Sequence, residues 1–574
     1  MSRKASGKQQ ISIIKRKQAN GSVYVFERIS EYNPEKRYYQ PVSSKLIGKI
    51  LPGETEITAT RPKINMRVAV IEAGRTNIGL THILNWIGRE SGIDNDLHCA
   101  TDAGTAQKIL SIARFWMANP DRAVHQIEEW QICHQLPYLD GISADGCYRL
   151  MKEIGQDVSL QQRYFRYRAA FAPHKASVTI DSTTIYSYSE HLNDVRYGFN
   201  KDKNGLPTVK LLTLFCMANH QPIAFIRQPG NIPDVSSVLN ALEQLNVFGM
   251  GRPLMVLDGG FFSESNIFSI IRSHTKFLMR GQLDGKWILP ELEDVFDRLT
   301  LPSHSCPFEK GTYGLTVTVS HTFSYQRERS RGAVSKGDIL HEEHRLYLHF
   351  FLNVDKASTE RAAFIMDIQR VKEQLEQGVE FSRFSKAELA IADRYLTVNE
   401  RKGRRTVHMR DDEIMDASRY FGIFNLVSNH AMDAFAALRE YRLREKTEEN
   451  FRIDKQYNDA HSTRSKGTCS LDGGFFCQFV AMGYEEFFSN AIAKMKKELA
   501  VPTGNPAHDK SDTFKKEKRL LDWLNRMSIS KLLAWFDAVQ ETTVKTSIGK
   551  KRWQTETLER DRMFLERLGV IKPS

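Results

Sequence analysis

Tyr441, Arg444, Glu448 and Lys455 stand at offsets 0, 3, 7 and 14 within the segment YRLREKTEENFRIDK. At about 100° per residue, an α-helix gathers four such side chains within an arc of roughly 60°. An acid grouped with two permanent cations and a phenol has no place in an apolar core, but it suits a metal ion beside a phosphodiester. A solvated, salt-bridged helix competes with that reading, because Glu445, Lys446, Glu449 and Asp454 charge the whole segment. Judged alone, the helix favours the solvated reading.

Two further acids change the balance. Asp181 interrupts the β-branched run Val178-Thr179-Ile180 and Thr183-Thr184, where a half-buried carboxylate needs a partner. Asp258 follows Pro253-Leu254-Met255-Val256-Leu257 and precedes Gly259-Gly260, at the carboxyl end of an expected strand, where open α/β sheets place their sites. Each aspartate by itself reads most simply as a strand-end or Asx-turn residue. Three acids on neighbouring core elements read as a sparse ligand set for two divalent ions, one activating the attacking oxygen and the other stabilising the leaving oxygen of a phosphoryl transfer. Mg²⁺ keeps several waters, so three carboxylates suffice.

The elements that must position these acids follow from the apolar patterning. Strand-like runs at Ser177–Tyr186, Thr208–Met217 and Ile223–Arg227 precede a helical stretch at Val235–Phe248. A strand at Leu254–Leu257, a helix at Ser263–Ser273 and a strand at Lys276–Arg280 complete the order β-β-β-α-β-α-β. That order predicts a mixed sheet flanked by helices, the ribonuclease H-like (retroviral-integrase-like) α/β fold. The expected domains are a basic β module at 1–72, a helical accessory domain at 73–172, a catalytic core whose first segment is 173–285 and whose second is 415–485, a β-rich insertion at 286–414 between them, and a helical basic region at 486–574. Within the insertion lie the runs Leu315–Val319 and Leu346–Val354 and a charged helix at Ser358–Gln377. Tyr420–Val427 and the helical pattern from Met432 to Gln456 return the chain to the core.

With both aspartates upstream, Y-x2-R-x3-E-x6-K resembles the signature of the DDE transposases of bacterial insertion sequences, in the branch where a strand-rich insertion precedes the glutamate. Asp258 and Glu448 lie 190 residues apart (448 − 258), and the two aspartates 77 apart (258 − 181). The resemblance covers about residues 20 to 485. It implies that Asp181, Asp258 and Glu448 bind two Mg²⁺ ions, for which Mn²⁺ can substitute, and that Tyr441, Arg444 and Lys455 hold DNA phosphates. It further implies cut-and-paste transposition of double-stranded DNA, with nicking at the inverted-repeat ends and joining to target DNA in a synaptic homodimer. Whether a hairpin intermediate forms is left open. In one respect the chain departs from the branch, which often has a basic residue after the second aspartate: here Gly259 stands there, and that phosphate contact is unassigned.

Composition agrees with a polyanionic partner without specifying one: 81 Lys and Arg against 69 acids give a net charge of +12. Seven cysteines without a C-x2-C pair suggest neither a zinc ribbon nor a disulfide framework. With no long apolar run or signal-peptide pattern, the expectation is a cytoplasmic, nucleoid-associated protein without a membrane partner.

Other features are weighed against plainer roles. Leu-Asp-Gly-Gly-Phe-Phe recurs at 471–476, but Asp472 follows no buried strand and lies beyond Glu448, so a helix-start turn is expected there. Trp287 could stack on an everted base, though packing is the commoner role of tryptophan. His341, His344 and His349 share a β segment in which 344 and 349 face opposite sides, against a metal cluster. The basic runs Arg401–Arg405 and Lys515–Arg519 read as solvated faces that could track a DNA backbone. A nuclease without strand transfer, a catalytically dead DNA-binding remnant and a paired-carboxylate glycosidase are the alternatives. The last is disfavoured by Arg444 and Lys455 beside Glu448.

Overall fold

A computed structural model of the chain describes residues 9–19, 21–53, 55–58, 70–173, 176–187, 195–197, 206–232, 238, 240–241, 243–244, 247–326, 337–401, 404–457, 462–463, 467–501, 511–546 and 549–572. At 70–72, 186–187, 404, 446–457 and 462–463 the backbone alone is described. Most of the expected Val235–Phe248 helix lies outside these residues, as do Lys402 and Gly403 of one basic run. Contacts divide the chain into two compact units, 1–164 with 457–459 and 465–574, and 165–456 with 460–464.

The first unit begins with an antiparallel meander, β1 (Gln10–Lys17), β2 (Val23–Asn33) and β3 (Tyr38–Ile50). A second three-stranded sheet joins β4 (Val70–Asn77) to β16 (Gln540–Thr546) and β17 (Gly549–Gln554), so distant parts of the sequence share one ladder. Between these lie helices at Gly79–Glu90, Ile93–Ala100, Ala103–Ala118 and Ala144–Gln156. Asp102 and Ser143 cap the last two by accepting hydrogen bonds from Thr105 N and Gly146 N. Ile109, Ile112, Ala113 and Phe115 are buried. The long helix Thr468–Ala500 packs on Ala144–Gln156 at glycines: a Cβ on Gly155 would overlap the Cys469 carbonyl, and one on Gly473 the Met151 carbonyl. Residues 468–485, expected with the catalytic core, are thus packed within the helical unit.

The second unit is a mixed α/β body. Its sheet contains β5 (Val178–Ser187), β6 (Thr208–Cys216), β7 (Gln221–Pro229), β8 (Leu254–Leu257), β9 (Lys276–Arg280), β10 (Thr312–Gln326), β11 (Ile339–Asn353), β14 (Ile423–Ser428) and the short β15 (Ser462–Thr463). The strand order is β10-β11-β14-β9-β8-β5-β6-β7, with β15 beside β5. β5, β6 and β7 are antiparallel neighbours, whereas β5, β8 and β9 run parallel. The inner strands β6 and β14 are buried along almost their whole length, as strands covered on both faces require.

Within 286–414, β10 and β11 extend the main sheet through β14. The rest folds into helices at Val354–Glu376, Lys386–Tyr395 and Asp411–Ser418 with a hairpin of β12 (Leu396–Arg401) and β13 (Arg404–Met409). Ile368, Val371 and Leu375 recur at helical spacing and form a small core with Tyr395 and Val407. Among the described residues no helix is long and apolar enough to cross a membrane.

Candidate active site

Asp258 owes its position to a strand that ends in glycines. Met255, Val256 and Leu257 are fully buried in β8, and Gly259–Phe261 then turns as a 3₁₀ helix, with Phe261 N donating to Asp258 O at 3.1 Å. Phe261 is buried and its carbonyl accepts from Asn266 Nδ2 at 2.7 Å, while Ser263 Oγ caps the next helix at Asn266 N, 3.1 Å. The loop is pinned on its far side, and the Asp258 side chain remains 46% exposed past the carboxyl end of β8.

Asp181 stands on the adjacent parallel strand. Val178 pairs with Met255 and Thr179 with Val256. Three residues beyond Val178 and three beyond Met255 lie Asp181 and Asp258, so the register carries them to the same level and the same sheet face, about one strand spacing (~4.8 Å) apart. The Asp181 side chain is half-buried.

The helix Ala434–Tyr457 supplies the other wall. Ala434, Ala437, Leu438 and Tyr441 bury one stripe against Val256, Leu278 and Leu426 of the sheet. Burial of Leu438 alone contributes on the order of 1.5–3 kcal/mol. That stripe phases the polar residues after it. Tyr441 Oη donates to Asp258 Oδ1 at 3.4 Å, Arg444 Nη2 lies 3.7 Å from the same oxygen, and Arg444 Nη1 donates to Tyr441 Oη at 3.5 Å. Arg444 is only 3% exposed. Burial pushes the Tyr441 phenol up to about 12, against the opposing pull of Arg444. The phenol is therefore a donor at neutral pH.

The register brings Asp181 and Asp258 together past the carboxyl end of β8, and Tyr441 and Arg444 reach Asp258 there. Glu448 and Lys455 lie on the same helix, Glu448 two turns (~10 Å) past Tyr441, and their side chains fall outside the described residues. Among the described residues no group of three or more His, Cys, Asp or Glu could hold a metal. Oxygen donors from two carboxylates at one level are the hard ligands that Mg²⁺ or Mn²⁺ prefers.

Arg280 belongs to none of the motifs read from the sequence. Leu257 pairs with Met279, which sets Arg280 level with Asp258 on the next parallel strand. Its Cβ and Cδ lie 3.7 and 3.8 Å from where a Gly259 side chain would begin, and its charge acts on Tyr441. The available signal was a charged residue directly after each apolar run, Asp258 after Leu254–Leu257 and Arg280 after Phe277–Met279.

The remaining motifs resolve plainly. Asp472 lies in the first turns of Thr468–Ala500, in the other unit. Trp287 is half-buried, stacked on His321 at 4.4 Å and facing Phe262 at 6.5 Å. His349 is fully buried, bonded to Thr316 Oγ1 at 2.9 Å and pushed down to about 4 by desolvation. His344 is half-buried beside Glu342, and His341 is exposed and bonded to Ser324.

No curated protein matches the chain by sequence. Among solved structures, a cryo-EM structure of the piggyBac transposase synaptic complex with hairpin DNA is similar over 78% of this chain and 82% of that one, at 9% identity and a TM-score of 0.33, too loose a likeness to inform the fold. Residues 174–334, which carry Asp181, Asp258 and Arg280, match the family model of the transposase DDE domain.

Proposed function

We propose that this protein is a DDE transposase that cuts the ends of an insertion sequence and joins them to target DNA. The observation that carries the reading is the parallel register of β5 and β8, which levels Asp181 with Asp258, together with the Tyr441 and Arg444 contacts to Asp258. The match of residues 174–334 to the transposase DDE domain supports it. So does the sheet order β7-β6-β5-β8-β9, antiparallel then parallel, which is the order expected of a ribonuclease H-like core.

In this reading Asp181, Asp258 and Glu448 hold two Mg²⁺ ions, which when bound would activate the attacking oxygen and stabilise the leaving oxygen. Arg444 orients the Asp258 carboxylate, and the resemblance assigns it to the phosphate contacts. The protonated Tyr441 phenol donates to the same carboxylate. Lys455 extends the phosphate track along the helix. Arg280 stands where a cation after the second aspartate would otherwise act, and faces the same phosphate group. A synaptic homodimer on double-stranded DNA and a cytoplasmic, nucleoid-associated location belong to the same proposal.

Inverted repeats in the DNA flanking the gene define the substrate. With those ends and Mg²⁺, the protein is expected to nick at the repeat boundary and to join pre-cut ends to a plasmid. Cleavage without joining would make it a nuclease of the same fold, and metal-independent activity would overturn the two-ion mechanism.

A further inference from the structure

The second unit carries a cavity of about 660 Å³ at the other end of the parallel strands from Asp258. Its floor is Pro253, Leu254, Met432 and Ala436, and its rim carries Arg252, Lys276 and Arg439. Leu254 opens β8 and Lys276 opens β9. Asp258 lies four positions past Leu254, roughly 13 Å along the strand, so one small ligand does not span both sites.

The three rim cations are exposed, and none has an ion-pair partner among the described residues. Arg439 is held over the Phe308 ring at 4.6 Å, which leaves its guanidinium edge available. The one carboxylate in the lining, Glu440, accepts from Ser177 Oγ at 2.8 Å. His430 completes the wall in a braced turn: its N donates to Ser428 Oγ at 2.9 Å, Ser428 Oγ donates to Phe277 O at 2.7 Å, and Asn429 bonds Phe277 N and Thr275 O at 2.9 Å each. Three cations and one carboxylate leave an excess of positive charge around an apolar floor on a rigid frame.

We infer that this cavity is a second phosphate site, which takes backbone phosphates of DNA away from the cleavage edge. The cations come from three elements, the loop before β8, the start of β9 and the helix Ala434–Tyr457. That spread suits successive phosphates of a chain better than a single small anion. The inference rests on the DNA reading above.

The test compares R252Q/K276Q/R439Q with a control of equal charge loss on the exposed helical module, R361Q/R383Q/K386Q. Duplex binding is measured across a salt series, and pyrophosphate is titrated by calorimetry as the free-anion probe. Each lost phosphate contact lowers the slope of log affinity against log salt by ~0.9, so the cavity variant is expected to lose about two to three in slope while the control loses less than about one. Equal losses, or none, in the two variants would overturn the inference. It would also be overturned if pyrophosphate bound in the cavity while duplex binding stayed unchanged in the cavity variant, for the site would then serve a free phosphate. Wild-type protein that binds no duplex would instead sink the DNA reading itself. Matching circular dichroism and melting midpoints exclude misfolding of the variants.

Discussion

The hexapeptide Leu-Asp-Gly-Gly-Phe-Phe occupies 257–262 in one unit and 471–476 in the other, and the two copies fold differently. At 257–262 it ends a buried strand, turns through 3₁₀ geometry and leaves a carboxylate half-exposed beside a phenol and a guanidinium. At 471–476 it is helical, with Leu471, Gly473, Phe475 and Phe476 buried against neighbouring helices. Flanking residues decide between the two. Leu254–Val256 continues a sheet ladder into the first copy and Ser263 starts a new helix after it, whereas the apolar positions Phe475, Phe476, Phe479 and Val480 carry one helix straight through the second. The glycines serve opposite ends: Gly473 lets a helix approach the Met151 carbonyl, and Gly259 keeps the space beside Arg280 open next to Asp258. Local sequence identity therefore carries no chemistry until a tertiary partner is supplied.

The sharpest way to break this comparison is to change the two aspartates in parallel. Asp258→Asn is expected to lower end cleavage by about a thousandfold or more, as loss of an essential member of a catalytic unit does, with end binding retained; Asp181→Asn and Glu448→Gln should behave alike. Asp472→Asn should leave the cleavage rate within about twofold. Comparable losses at 258 and 472 would erase the functional distinction between the copies.

The glycines should invert that pattern in stability. Gly473→Val drives a side chain into the Met151 carbonyl and should cost on the order of 1–3 kcal/mol by overpacking, seen as a lower thermal midpoint. Gly259→Ala meets nothing closer than 3.7 Å and should shift stability by less than about 0.5 kcal/mol. If Gly259→Ala proved the more damaging, the assignment of a packing role to one copy and an open role to the other would be wrong.

Smaller effects probe what surrounds Asp258 alone. Arg444→Lys keeps the charge but loses the planar fork, and a drop in cleavage of about tenfold is expected. Tyr441→Phe removes two long hydrogen bonds, one donated to Asp258 and one accepted from Arg444, each worth no more than ~0.5–1.5 kcal/mol, a loss of several-fold in rate; no change in either variant would show that the carboxylate needs no orientation.

The least effect is spectroscopic. Since the folded Tyr441 phenol is pushed up to about 12 from an unfolded value near 10, the fold holds its proton between those limits. Its contribution to stability is complete below about pH 10 and is lost as pH rises through about 12. The ultraviolet difference titration of wild type against Tyr441→Phe should show no phenolate signal near pH 10, and a signal there would mean that the ring is not buried beside Asp258.

Much of this arrangement was legible in the amino-acid order. The alternation of β-branched residues around Asp181, the apolar run closed by Gly259-Gly260 and the Tyr441 to Lys455 spacing are local patterns, and local patterns act through backbone geometry of fixed period. They determined the strands and the helix, and the spacing of Tyr441 and Arg444 determined that both side chains reach Asp258. What the linear order left open depended on contacts between distant segments. The pairing of β5 with β8 levels the two aspartates, the pairing of β8 with β9 brings Arg280 beside Gly259, and β10 and β11 extend the main sheet because β14 offers its free edge. Such choices follow from which buried edges and faces satisfy one another's hydrogen bonds and volume. That selection is made over the whole unit at once, and only the tertiary structure decided it.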